Sequence, residues 1–321
     1  MLLFQKTRYT MTRRNLHPQF GLMHIPKCGG TQLMTEIEAF LRPLQRVEGW
    51  DLSQTGGVIP DRSIHLEIGQ EGGRVGGIYV SPAALPAKGD MVAGHFARSS
   101  LLARYPDIKI MSILREPQSR VLSHWFYLRD YSDETLSEFG NWASHLAIAR
   151  QPLRVFLTTP SIACLTDNVI TRMLLWPNEL IPQDDFIDER ADQMLLDQAL
   201  ARLAELDFVD IIENDAMRSR LLMWLGAVWG QTFWSKLERR LNGPPRGNPN
   251  EARPPLFGER RPMSDELGEG GAALLATRSR LDAVLWRHVA STLPDRDRFL
   301  ASERAYLDRA CARYDRLLTA A

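Results

Sequence analysis

Short apolar runs recur along this chain, several of them closed by a turn and followed by a stretch with helical spacing. Phe20-Gly-Leu-Met23 is the first, and Pro26-Lys-Cys-Gly-Gly separates it from an amphipathic stretch over 32–41. That order reads as strand, turn, helix. Residues 108–114 carry Ile108, Ile110, Met111, Ile113 and Leu114 and predict a largely buried strand. Glu116-Pro117 stops it, and Pro117 suits the first turn of a helix continuing through Arg129. Residues 91–93, 77–80 and 208–212 predict further short strands, the last followed by a helix over 216–229. Helices are also predicted over 141–150, over 182–206 (Met194, Leu195 and Leu203 at helical spacing) and from Leu274 onward. Strands alternating with helices predict an α/β fold, a three-layer sandwich with a mainly parallel central sheet.

Between these elements, residues 1–17 read as a polar lead and 18–321 as one domain. Residues 49–89, rich in Gly and Pro, read as an insertion beside the strand ends, and 242–262, with several prolines, glycines and arginines, as a loop. Trp224, Trp229 and Trp234 are expected in the core rather than as sugar-stacking platforms.

The turn after the first strand carries the chemistry. Gly29 and Gly30 permit backbone conformations that a Cβ obstructs, Lys27 supplies a point charge, and Thr31 places a hydroxyl at a helix start. An oxyanion such as phosphate or sulfate needs these groups. The loop is not a Walker A motif, which sets its glycines before the Lys-Ser/Thr pair. Arg115 falls at the carboxyl end of the strand over 108–114, with Ser123 two turns into the next helix. The planar fork of Arg and the neutral donor of Ser suit a terminal phosphate, in the crevice where open α/β sheets bind ligands.

Together, His24-Ile-Pro-Lys-Cys-Gly-Gly-Thr31 and Leu114-Arg-Glu-Pro-Gln-Ser-Arg-Val-Leu-Ser123 resemble the two nucleotide motifs of sulfotransferases that use 3′-phosphoadenosine 5′-phosphosulfate (PAPS). The likeness is to the carbohydrate branch containing heparan sulfate 2-O-sulfotransferase and its bacterial relatives. Trp125-Phe-Tyr127 and Leu128-Arg129 continue it, with weaker likenesses at 167–174, 206–222 and 248–254. The resemblance implies a P-loop-NTPase-like sulfotransferase fold with PAPS as co-substrate and no metal. It assigns Lys27, Cys28, Gly29, Gly30, Thr31 and Gln32 to the phosphosulfate, and Arg115 and Ser123 to the 3′-phosphate. Arg253, and less directly Arg246, are assigned to a loop covering the nucleotide.

The same resemblance makes His95, after the strand over 91–93, the general base that takes the acceptor's proton, a role its titration range permits. His24 is expected to be structural or to support the site from behind, and His124 to face along its helix. Cys28 and Gln32 stand where relatives often carry hydroxyl residues. Cys28, beside a lysine and near a helix start, is a candidate for a depressed thiol pKa, but its expected role is steric.

Composition narrows the partners. The 321 residues hold 39 basic and 39 acidic side chains, a net charge of zero, so no field for a nucleic acid polymer is expected. Zero net charge also makes a glycan or small hydroxyl-bearing acceptor of low charge at least as plausible as a heparin-like one. Three widely spaced cysteines give neither a zinc spacing nor a disulfide framework. No apolar run approaches a membrane span, and Met1–Arg8 lacks a signal-peptide core. The expectation is a cytoplasmic, bacterial-type enzyme. The rival readings are a nucleotide kinase or NTPase, and a homologue that binds nucleotide or glycan without turnover.

Overall fold

The apolar runs become parallel strands. The computed structural model describes residues 20–41, 45–59, 61, 74–228, 257–268 and 270–319. In chain order the strands are β1 (Phe20–Met23), β2 (Arg46–Asp51), β3 (Arg74–Tyr79), β4 (Met91–His95), β5 (Lys109–Leu114) and β6 (Phe208–Ile211). They form one sheet of order β3-β2-β4-β1-β5-β6, and every pairing is parallel. Helix α1 (Gly30–Leu41) follows β1, α2 (Arg98–Arg104) follows β4, and α3 (Pro117–Arg129) follows β5.

Both faces of the sheet are covered, so its strands read as continuous apolar runs. Phe20, Leu22, Met91, Met111 and Ile113 pack with Leu33 and Ile37 of α1 and with Met217, Leu221 and Leu225. Alternate residues Met23, Val92, Ile110, Leu114 and Ile211 face the opposite layer, which holds Leu101, Ile170, Leu195, Leu285 and Trp286. The result is α/β, with helices on both sides of an all-parallel sheet. A separate apolar cluster joins α3 to the helices Leu153–Thr158, Gly271–Arg278 and Glu303–Thr319. Among the described residues no helix is long and apolar enough to cross a membrane.

The strand order places a switch point beside β1. From β1 the chain moves to β2 on one side, whereas from β5, its neighbour on the other, it moves away to β6. Loops leaving adjacent strands in opposite directions open a crevice at their carboxyl ends. Three adjacent strands also approach closely near those ends. A Cβ on Gly49 (φ +128°) would lie 1.9 Å from the Gly77 carbonyl oxygen, and one on Gly94 would lie 2.1 Å from the Gly49 carbonyl oxygen.

Local signals set α3 where the sequence predicts it. Pro117 occupies its first turn, and the Glu116 carboxylate accepts from the N–H groups of Gln118 (2.9 Å) and Ser119 (2.7 Å). Two helix expectations are corrected. Over 182–206 only Asp192–Ala204 is α-helical. Residues 182–188 instead lend their backbone to buried polar groups: Arg172 donates to the carbonyls of Pro182 and Asp185, and Ile187 N–H donates to the Asp167 carboxylate. The expected helix over 141–150 is broken, with α-helix only at Ala143–Ala147 between two 3-10 turns.

Of the expected insertion over 49–89, Arg74–Tyr79 is the edge strand β3, and the stretch also includes the carboxyl end of β2. Residues 1–17, most of the 242–262 loop, Trp229 and Trp234 lie outside the described residues. Trp224 is half-buried, its ring 5.5 Å from Phe208 in the core.

The glycine contacts give a stability prediction. Gly94→Ala places a Cβ against a backbone oxygen that no rotamer change can move, so urea denaturation should read a loss of about 3 kcal/mol.

Candidate functional site

The chain leaves β1 through a strained turn. Lys27 has φ +69°, a left-handed conformation uncommon for a residue with a side chain, and Gly29 follows at φ +78°. Hydrogen bonds hold the turn: Cys28 N–H donates to the Ile25 carbonyl at 3.2 Å, and the Arg115 Nη1 group donates to the Lys27 carbonyl at 3.2 Å. The predicted anion loop and the predicted arginine are therefore in direct contact across the switch point. Arg115 Nε also donates to Ser119 Oγ at 3.3 Å, which fixes the guanidinium over the start of α3.

Both glycines of the loop are required by their surroundings. A Cβ on Gly29 would sit 2.5 Å from Ile212 Cδ1, and one on Gly30 would sit 2.0 Å from His24 Nε2. Among the described residues, no backbone carbonyl accepts from the N–H groups of Gly29, Gly30 or Gln32. They are free donors at the N-terminus of α1. Cys28 does not belong with them, because its N–H is spent on Ile25. Its thiol pKa is not depressed: burial pushes it up to about 12, outweighing the nearby Arg120 and Arg115 charges, in keeping with the steric role expected for it. Cys28 is a buried packing residue, not a thiolate.

Lys27 extends over the Tyr127 ring, its Nζ 3.7 Å from the centroid, so a residue of α3 positions this cation. Ser123, on the same helix, is half-buried and its hydroxyl has no partner among the described residues. Gln32 is half-buried in the first turn of α1. The Thr31 backbone lies in that turn, while its side chain, like Arg253 and Arg246, lies outside the described residues.

His95 ends β4, and its ring stacks on His24 with centroids 4.8 Å apart. Its Nδ1 lies 2.7 Å from the His24 carbonyl oxygen. A carbonyl can only accept, so Nδ1 carries the proton and Nε2 of the neutral ring is left with the lone pair. Burial lowers the His95 pKa and the Lys27 charge lowers it further, against the opposing effects of the His24 hydrogen bond and Asp51. His24 is held well below its ordinary value by burial, His95 and Lys27. The ring at this position is thus a neutral base oriented by its neighbour.

His24 holds the His95 ring through its carbonyl and its own stacked ring. His124 is buried, its Nδ1 3.3 Å from the Leu165 carbonyl oxygen. Tyr127 and the Lys27 backbone geometry were not legible as site features, since neither ring contact nor φ leaves a mark in residue order. The chain matches no protein-family model, and none of the curated proteins matches it.

These shifts predict the pH response. His24, His95 and His124 all have native pKa values below 6.5, so the unfolded chain binds more protons as pH falls through 6.5. Stability present above pH 6.5 should then decline by up to about 1.4 kcal/mol per pH unit for each histidine. In NMR titration of the His95 and His24 rings, midpoints below 6.5 are expected. Lys27→Met should move both upward.

Proposed function

We propose that this chain transfers the sulfuryl group of PAPS to a hydroxyl of a glycan or other alcohol acceptor, and that its sheet and loop are a P-loop-NTPase-like sulfotransferase fold. The observation that carries the reading is the Arg115–Lys27 hydrogen bond. It joins the two segments that resemble nucleotide motifs into one anion-binding crevice, with an oriented neutral imidazole on the strand beside it. The comparisons with known proteins neither add to this reading nor oppose it.

In the proposed reaction PAPS supplies the sulfuryl group, and the chain's residues bind, orient and move one proton. The free N–H groups of Gly29, Gly30 and Gln32 bind the 5′-phosphate. Arg115 and Ser123 bind the 3′-phosphate. The acceptor hydroxyl gives its proton to His95 Nε2 as its oxygen bonds to sulfur. The bond from sulfur to the bridging phosphate oxygen breaks, and adenosine 3′,5′-bisphosphate leaves. Lys27 stabilises the charge growing on that bridging oxygen, as preorganised cations do in phosphoryl transfer.

Calorimetric titration with adenosine 3′,5′-bisphosphate in magnesium-free buffer tests the site. Binding by wild type and a loss of roughly 10- to 100-fold in Arg115→Ala are expected from removing a charged donor pair. No binding to folded wild-type protein would sink the proposal.

Transfer from radiolabelled PAPS to a panel of glycans and alcohols tests the chemistry. His95→Ala should lower turnover by about 10²- to 10⁴-fold while leaving nucleotide affinity within about threefold. Nucleotide binding without transfer to any acceptor would favour the non-catalytic reading.

A further inference from the structure

Among the described residues, one fully buried arginine has no hydrogen-bond acceptor. Arg120 in α3 is 0% exposed, and its Nε, Nη1 and Nη2 have no hydrogen-bond acceptor among the described residues. The other deeply buried arginines differ. Arg172 donates to Asp167 and to three carbonyls. Arg129 donates to the Phe257 and Glu259 carbonyls and lies over the Trp125 ring. Burying a guanidinium with no hydrogen-bond acceptor is unfavourable, and the charges of Asp282 and Glu116 offset only part of that cost.

Its placement gives the reason. Glu116, Arg120, Ser123 and His124 fall on one side of α3 by their spacing of three and four residues. Arg120 lies within electrostatic reach of Cys28 in the glycine turn, of Arg115 and of His124. Two carboxylates face it, and the hydrogen bonds of both go elsewhere. Glu116 accepts from Gln118 and Ser119, and Asp282 accepts from the N–H groups of Ile170 and Thr171 and from the Thr171 hydroxyl. Away from water, such a charge is screened weakly and is felt by its neighbours.

We infer that Arg120 is a positioning residue for an oligoanionic nucleotide: a buried positive charge behind the glycine turn that raises anion affinity without touching the ligand. This rests on the nucleotide site proposed above. The unfavourable burial is present in the ligand-free protein and is offset when an anion occupies the loop, so stability and affinity should move in opposite directions when the charge is removed.

Thermal melting and calorimetry with adenosine 3′,5′-bisphosphate, on wild type, Arg120→Met and Arg120→Lys, test this. Arg120→Met should melt about 2 °C or more above ligand-free wild type and bind the nucleotide about tenfold or more weakly. Arg120→Lys loses the fork and keeps the charge only where the buried ammonium stays protonated, so it is compared at pH 6, where it should bind within about threefold of wild type at the same pH. Arg120→Gln gives the same comparison should the methionine variant not fold. A folded neutral variant that binds as tightly as wild type overturns the inference, and so does equal weakening in the lysine and neutral variants, which marks a packing role. Absence of binding by wild type instead sinks the nucleotide site itself, which keeps the two failures distinct.

Discussion

The hydrogen bond from Arg115 to the Lys27 carbonyl depends on β1 and β5 being adjacent and parallel. Parallel pairing puts the carboxyl ends of both strands at the same edge of the sheet, so a residue just after β5 can reach the turn just after β1. The same bond helps hold Lys27 in a backbone conformation that its side chain disfavours. With that conformation held, Gly29 and Gly30 can present free N–H groups while Lys27 reaches Tyr127. Sheet topology, loop strain and cation placement are thus one arrangement.

The helices packed on one face of the sheet are held by buried polar clamps. Asp282 caps the start of the helix Val169–Leu175 from the helix Arg280–Ser291, and the Asn168 side chain accepts from Leu281 N–H in return. Arg172 and Asp167 then bind the backbone of 182–187. Such fully bonded networks specify one arrangement of helices. Arg120 is the exception among them, a charge the scaffold does not satisfy.

Much of this was legible in residue order. The limits of α3 follow from Pro117 and a capping Glu116, both local signals. The strands of β1 and β5 follow from short apolar runs, and Lys27, Arg115 and His95 are chemically conspicuous residues at their ends or at the end of β4. Where local reading failed, long-range bonding decided. Residues 182–188 fall in an expected helix whose apolar spacing lies further on, at Met194, Leu195 and Leu203, yet the Pro182 and Asp185 carbonyls satisfy Arg172 instead, because an unpaired buried guanidinium is more unfavourable than a lost helical turn. A lysine beside Cys28 is a local signal for a depressed thiol pKa, but burial outweighs the charge and leaves the steric role.

By itself, the sequence determined the period of strands and helices, the glycine turn and the residue types able to bind an anion. These depend on contacts between residues near one another in the chain. Tertiary structure decided the rest: which strands are neighbours, which histidine nitrogen carries the proton, which N–H groups stay free, and that the buried Arg120 guanidinium has no hydrogen-bond acceptor among the described residues. Each of these is set by a partner tens of residues away or more, or by the absence of one, and neither is written in local order.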